Sequence, residues 1–137
     1  MRYLIDGNPL PLARTRMGRG SRRLYDSQKD IKIVQGICLQ NQHGEKPLYI
    51  GPLQLDVTFY LKMPKLSARK IAERNNMYHF YKPDLSNLIK LVEDIANEII
   101  YKDDAQISYI TSRKVYHENP RTEFSIIPLA KDDKYEI

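Results

Sequence analysis

The chain has 137 residues, 42% of them hydrophobic and 28% charged, which suits one globular domain with a core of its own and excludes wholesale disorder. No apolar run approaches the ~20 residues of a membrane span, and the single cysteine, Cys38, excludes a disulfide framework and a Cys-built zinc site and suits a reducing, cytoplasmic compartment. The formal net charge is +5, and residues 1–43 hold all of it, with eight Lys/Arg against three Asp/Glu; residues 44–137 carry fourteen of each.

Residues 2–6 (RYLID) read as a short strand, stopped by Gly7, Pro9 and Pro11. The apolar stretch there is too short for a secretory signal. Arg14, Arg16, Arg19, Arg22 and Arg23 then fall within ten residues with no acid among them. Gly18, Gly20 and Ser21 between them make this a flexible loop rather than a helix face. Arginine meets phosphate oxygens in pairs and stays charged, so the tract reads as a clamp on a nucleic-acid backbone. The plainer reading is a solvated loop, and an RNA-binding or toxin-like module would rest on this tract alone.

Ser27 is placed to cap a helix over 28–41, with Ile31, Val34, Ile37 and Cys38 at helical spacing; Gly36 weakens it. Cys38 falls on the apolar side and reads as core. Residues 43–47 form a loop. Residues 53–61 alternate strictly, with Leu53, Leu55, Val57, Phe59 and Leu61 facing one way, and predict a strand with one buried face. A short helix follows over 67–74, then an aromatic and polar loop over 75–82. Tyr78, Phe80 and Tyr81 in that loop suit either stacking on an unpaired base or packing in a core or dimer interface.

Residues 85–99 give the clearest helix. At about 100° per residue, Ser86, Asn87, Lys90, Glu93, Asp94 and Asn97 form one stripe; Leu88, Val92, Ile95 and Ile99 lie opposite. Asp84 falls off the polar stripe, as an N-cap would. Residues 106–117 and 122–127 read as two strands joined at 118–121 into a hairpin. The charged tail, 131–137, is expected to fray. His43, His79 and His117 are too widely spaced to suggest a zinc pair. The elements predict an α/β (α+β) fold, a small mixed sheet packed with helices, as a single domain over 1–137.

Three carboxylates carry the chemistry. Asp84 opens the amphipathic helix, and Asp103 and Asp104 lie between that helix and the next strand. A helix packed on a sheet could bring its N-terminus near the start of that strand and gather these acids around one point. Clustered carboxylates hold Mg²⁺ or Mn²⁺ through hard oxygen ligands, and such a cation activates water and offsets charge on phosphate. Lys90, further up the helix, could support developing charge. The bland alternatives are a helix cap for Asp84 and a solvated turn for the Asp pair.

Residues 82–114, KPDLSNLIKLVEDIANEIIYKDDAQISYITSRK, resemble the RusA family of Holliday-junction resolvases. The resemblance lies in Lys82-Pro83-Asp84, Asn87-Leu88, Lys90, Asp94, Asp103-Asp104-Ala105-Gln106 and Lys114. The opening Gly7, Pro9, Pro11, Arg14, Arg16 and the later Tyr25-Asp26 resemble the family's first loop, so the match spans about 2–127. It implies a homodimeric crossover junction endodeoxyribonuclease of DNA recombination and repair, of a kind often carried by phages and prophages. Such an enzyme nicks two opposing strands of a four-way DNA junction symmetrically, with Mg²⁺ or Mn²⁺ and no small-molecule cofactor. The resemblance implies Asp84 and Asp104 as catalytic metal ligands, Asp103 beside them, Asp94 as a further ligand, and Lys90 as a catalytic assistant. Lys82 and Lys114 would contact DNA or orient the site, and the arginines 14, 16, 19, 22 and 23 would contact DNA. One position departs from the pattern: two residues after Asp84 the family usually has an Asp, and this chain has Ser86. A hydroxyl is neutral and a poor ligand. Glu93 and Asp94 are the nearby acids that would restore charge, although Asp94 lies ~12 Å along the helix from Ser86. The alternative is a junction-binding protein without catalysis.

Overall fold

The computed structural model describes residues 1–13, 16–17, 24–25 and 27–130. The strictly alternating segment becomes β4 (Leu53–Lys62) and takes the centre of the main sheet, because its Leu/Val/Phe face is the most apolar surface the chain offers. β5 (Ile107–His117) pairs with it in parallel and β6 (Arg121–Pro128) antiparallel. β1 (Arg2–Asp6) adds to β6, giving the order β1-β6-β4-β5. The expected hairpin of the last two strands is therefore not formed. Residues 118–120 cross the end of β4, and the two strands lie on either side of it. A chain turning back next to itself would have left the Leu55–Val57–Phe59 face at an edge.

Two short strands, β2 (Arg16–Met17) and β3 (Leu24–Tyr25), pair antiparallel with each other. The side chains of Arg14, Arg16, Arg19, Arg22 and Arg23 lie outside the described residues, as does the 131–137 tail.

α1 (Lys29–His43) and α3 (Leu85–Ala96) contribute to one core with the sheet. Tyr3, Val57, Phe59, Phe124 and Ile126 meet Leu88, Val92 and Ile95 there, and all are buried. Each such side chain contributes roughly 1.5–3 kcal/mol of burial. α1 sits differently from its sequence pattern. It starts after Gln28, and its buried residues are Gly36, Leu39 and His43, while Ile31, Val34 and Ile37 face solvent. The reason lies at Gly36: a Cβ there would come within 3.3 Å of Ile99 Cδ1, so the missing side chain is the point of closest approach. The glycine that weakens the helix locally sets its rotation globally. Cys38 is only half-buried, with its Sγ 3.7 Å from the Leu4 carbonyl oxygen.

His43 is a structural histidine. Its Nδ1 lies 2.7 Å from the Tyr3 hydroxyl and its Nε2 3.1 Å from the Pro47 carbonyl. The Pro47 carbonyl can only accept, so Nε2 is the donor of that bond. Burial pushes the Tyr3 hydroxyl well above the ordinary tyrosine range.

α2 (Ala68–Arg74) begins one residue later than expected, because Ser67 caps it, its Oγ accepting from the Lys70 amide at 3.4 Å. α3 stops at Ala96 rather than 99, and the chain turns through Glu98 at φ 65° before Ile100 and Tyr101 return to the core. Among the described residues no helix is long and apolar enough to cross a membrane.

Candidate active site

Asp84 stands at the N-cap position of α3, but its side chain does not cap the helix. One carboxylate oxygen instead accepts from Lys82 Nζ at 2.8 Å. That hydrogen bond and the Lys82 charge, with Lys114 adding to them, hold the carboxyl below its ordinary range. Asp84 is thus an exposed, firmly ionised carboxylate at the start of a buried helix.

Lys114 explains why the start of α3 sits where it does. In the parallel register Lys114 pairs with Phe59, so it points to the helical side of the sheet. Its Nζ donates to the Tyr81 carbonyl at 2.5 Å and to the Pro83 carbonyl at 2.7 Å. The Lys82–Pro83 peptide between them is cis. Lys114 therefore grips the arch that carries Asp84, a role different from direct DNA contact. The segment before the arch is also anchored. Asn76 N donates to Tyr116 O at 2.8 Å, Tyr116 N to Met77 O at 2.9 Å, and His79 N to Lys114 O at 3.1 Å. The 75–82 stretch, expected as a loop, is in part a fifth strand-like edge on β5, with Tyr78 bridged to Val115. The His79 ring packs on Tyr116 with centroids 4.8 Å apart, and burial, with Lys114 near, lowers its pKa.

Asp103 and Asp104 lie elsewhere. Asp103 caps a 3₁₀ turn, Asp104–Gln106, by accepting from the Ala105 amide at 3.0 Å. Gln106 completes the box, its Oε1 accepting from the Lys102 and Asp103 amides at 3.1 Å each. Its Nε2 donates to the Tyr49 carbonyl at 3.0 Å and the Gly51 carbonyl at 3.2 Å. The two aspartates share a hydrogen bond. Asp103 is held low, first by the Ala105 amide, and Asp104 is pushed up, first by its bond to Asp103. Glu93 faces this pair: burial and the Asp104 charge raise its pKa, while Lys90 works the other way. The Tyr101 hydroxyl donates to the Glu93 carbonyl at 3.0 Å, and burial among these acids raises its pKa. Asp94 belongs to the same neighbourhood, but its carboxylate is paired at 2.8 Å with Lys32 of α1.

The expected gathering of Asp84 with Asp103 and Asp104 does not occur within one chain. The start of α3 lies beside Lys114, late in β5, whereas its end lies beside the turn that precedes β5. The helix runs opposite to the strand. Its nine residues from Asp84 to Glu93 put ~13 Å of helix rise between the two groups. Among the described residues no three His, Cys, Asp or Glu side chains are arranged to hold a metal. The donor set of a single chain thus does not fit a divalent cation bound jointly by Asp84 and Asp104. Lys90 lies on the Glu93 side of this division, as its effect on Glu93 records. Ser86, in the first turn of α3, is exposed beside Asp84.

The arginine tract is rooted at this helix start. Leu12 N donates to Asn87 O at 2.9 Å. Ala13 N donates to Gln28 Oε1 at 2.8 Å, and Gln28 Nε2 to Pro11 O at 2.9 Å. The last described residue before Arg14 is therefore fixed within a residue of the first turn of α3. The sequence offered orientation of the site as one of two roles for Lys114, but not its two carbonyl partners, the 76–79 edge or the structural use of Gln106. Only the last had a legible signal, the Asp-x-x-Gln spacing of a capping box.

The site thus joins an exposed, ionised carboxylate at a helix start to the point where the chain enters the arginine tract. A model of one family, Endodeoxyribonuclease RusA, matches residues 6–127. The chain belongs to the RusA endodeoxyribonuclease family. It is similar to the uncharacterized protein YqaN of Bacillus subtilis (strain 168), at 31% identity over 134 residues, covering 92% of this chain and 94% of that one. It is also similar to the crossover junction endodeoxyribonuclease rusA of Lactococcus phage r1t, at 36% identity over 76 residues, covering 55% of this chain and 53% of that protein.

Proposed function

We propose that the protein is a structure-specific endodeoxyribonuclease that hydrolyses phosphodiesters at four-way DNA junctions, acting as a homodimer with Mg²⁺ or Mn²⁺. The observation that carries this reading is the Asp84 arch: an ionised, exposed carboxylate, clamped from beneath by Lys114, next to the root of five arginines. Arginine contacts to phosphate would supply salt-sensitive affinity and position the backbone at Asp84. The separation of the acids bears on the homodimer. One chain presents Asp84 at one end of α3 and Asp103–Asp104 at the other, so a shared cation site needs one end from each of two copies. A two-fold axis would make two such sites, matching two symmetric nicks.

A labelled four-way junction tests this. Wild type is expected to nick opposing strands in Mg²⁺ or Mn²⁺ and not in EDTA. Asp84→Asn should bind the junction without cutting it. If the site is shared, a mixture of Asp84→Asn and Asp104→Asn chains should recover nicking that neither has alone, because each mixed dimer keeps one intact site. The second reading, a junction-binding protein without catalysis, is favoured by Ser86 at a position where the family usually has a carboxylate. Junction binding with no nicks in either metal would select it.

A further inference from the structure

The residues leading into the Asp84 arch expose more aromatic surface than any other stretch of the described chain. Tyr78 is 74% exposed, Phe80 76% and Tyr81 63%. Surface of this kind in one short segment marks a contact site. It is not the exposure of a loose loop. The backbone at 76–79 is bonded to β5 on three amides, and Lys114 fixes the Tyr81 and Pro83 carbonyls. The rings of Phe80 and Tyr81 are already stacked on each other, 4.5 Å between centroids and 28° between planes. Tyr78, by contrast, bridges to Val115 and lies on the other face of the sheet, where it walls an open cavity of about 290 Å³ with Tyr60 and the exposed Arg113.

We infer that Phe80 and Tyr81 form a stacking platform for an unpaired nucleobase at a branch point, immediately beside Asp84. The inference rests on the junction-nuclease reading and deepens it by naming what recognises the branch. Three features select a base over a protein surface. The patch is aromatic, with no Leu, Ile or Val in residues 77–83, and a flat pre-stacked pair presents a π-face that every base can extend. The same stretch contains Lys82 and no acid, with Lys114 beside it on β5, so the surroundings suit a polyanion. Continuous duplex offers no free base face, whereas a four-way junction opened at its crossover does. The platform thus gives preference for branched over linear DNA, while the arginine tract binds both alike.

The test uses the full-length protein and three DNAs: a four-way junction with 2-aminopurine at the branch point, a duplex with a three-base bulge carrying the same probe, and a linear duplex. Stacking on an aromatic ring quenches 2-aminopurine. Wild type should quench the probe in the first two DNAs and bind both more tightly than the duplex. Phe80→Ala/Tyr81→Ala should lose the quenching and weaken junction and bulge binding by about 5- to 150-fold for each stacked base lost, with duplex binding unchanged. Phe80→Trp should retain the quenching. The rings are exposed, so the variants should melt as wild type does. Retained quenching and preference in the double variant would overturn the platform while leaving the junction-nuclease reading intact. A change in the molecular mass of the double variant in solution would overturn it in favour of an interface between two copies. Quenching and bulge preference in a wild type that cuts no junction would uphold the platform and sink the nuclease reading. Equal binding of all three DNAs by wild type would end both.

Discussion

Lys114→Met separates two roles for one side chain. In the structure the ammonium holds the Tyr81 and Pro83 carbonyls and points toward the helix start, not outward. Methionine keeps most of the stem's volume and removes the charge and both hydrogen bonds. A hydrogen bond from a charged donor contributes about 1.5–3 kcal/mol. The Tyr81 bond is exposed and its carbonyl can be rehydrated, while the Pro83 bond is partly buried. The summed loss is therefore about 2–4 kcal/mol rather than the full value of two. With an unfolding entropy of about 2.1 cal/mol/K per residue, the 137-residue chain loses about 7–14 °C in Tm. Cleavage should fall with it, since Asp84 rides on the released arch. The salt dependence of DNA binding should keep its slope, because no phosphate contact is removed. An unchanged Tm together with a slope of log K against log salt reduced by about one would refute the reasoning and place Lys114 on a phosphate.

Other substitutions probe the frame and the second acidic group. Tyr3→Phe leaves buried His43 Nδ1 without its partner and should cost about 1–2 kcal/mol in urea unfolding. Gly36→Ala brings a Cβ to 3.3 Å from Ile99 Cδ1 at the point of closest approach, so the roughly 0.5–1 kcal/mol that alanine gains in a helix interior should be offset by the shift of Ile99, and urea unfolding should show no net gain. Glu93 holds its proton more tightly folded than unfolded, so it weakens the fold as pH rises from the ordinary glutamate range through its raised folded value. Glu93→Gln should flatten that fall and raise the urea midpoint at neutral pH relative to acid, with Asp104 keeping the remainder of the slope.

What the sequence made legible follows from where the determining contacts lie. The strand at 53–61, the α3 apolar face and the short helix at 67–74 are local patterns, and each forms near the predicted bounds. The α1 rotation, the β5–β4–β6 order and the position of Asp103–Asp104 depend on long-range choices. A period of 3.6 can say that Ile31, Val34 and Ile37 share a face, but not that Gly36 offers a closer approach than that face does. Two strands joined by a short turn default to a hairpin unless a more apolar strand claims the place between them, as β4 does. The site divides the same way. Family motif and spacing picked out Asp84, Asp103 and Asp104 as chemistry-bearing, yet only the antiparallel run of α3 on β5 shows that one chain keeps them apart. Lys114 is legible as a conspicuous late-strand cation, and its two carbonyl partners come from an arch that no periodicity describes.

Ser86 is the position at which sequence and site can be brought to a single outcome. The helix start now carries Asp84, with Lys82 paired to it and Lys114 beneath, a local balance that is positive rather than negative. A cation site there lacks the surplus of negative charge that hard divalent ions require. Ser86→Asp adds one carboxylate at an exposed first-turn position. An acid at a helix N-terminus is stabilising by about 0.3–1 kcal/mol, so the fold should tolerate the change. If the serine is the feature that limits catalysis, Ser86→Asp should nick four-way junctions at least several-fold faster than wild type in Mg²⁺, with the same cut positions. The gain should vanish in the Asp84→Asn background, since the added acid works only alongside the first. A Ser86→Asp chain that folds, binds junctions and cuts no faster would show that position 86 is not a ligand position in this protein, and that the negative charge of the site comes from elsewhere.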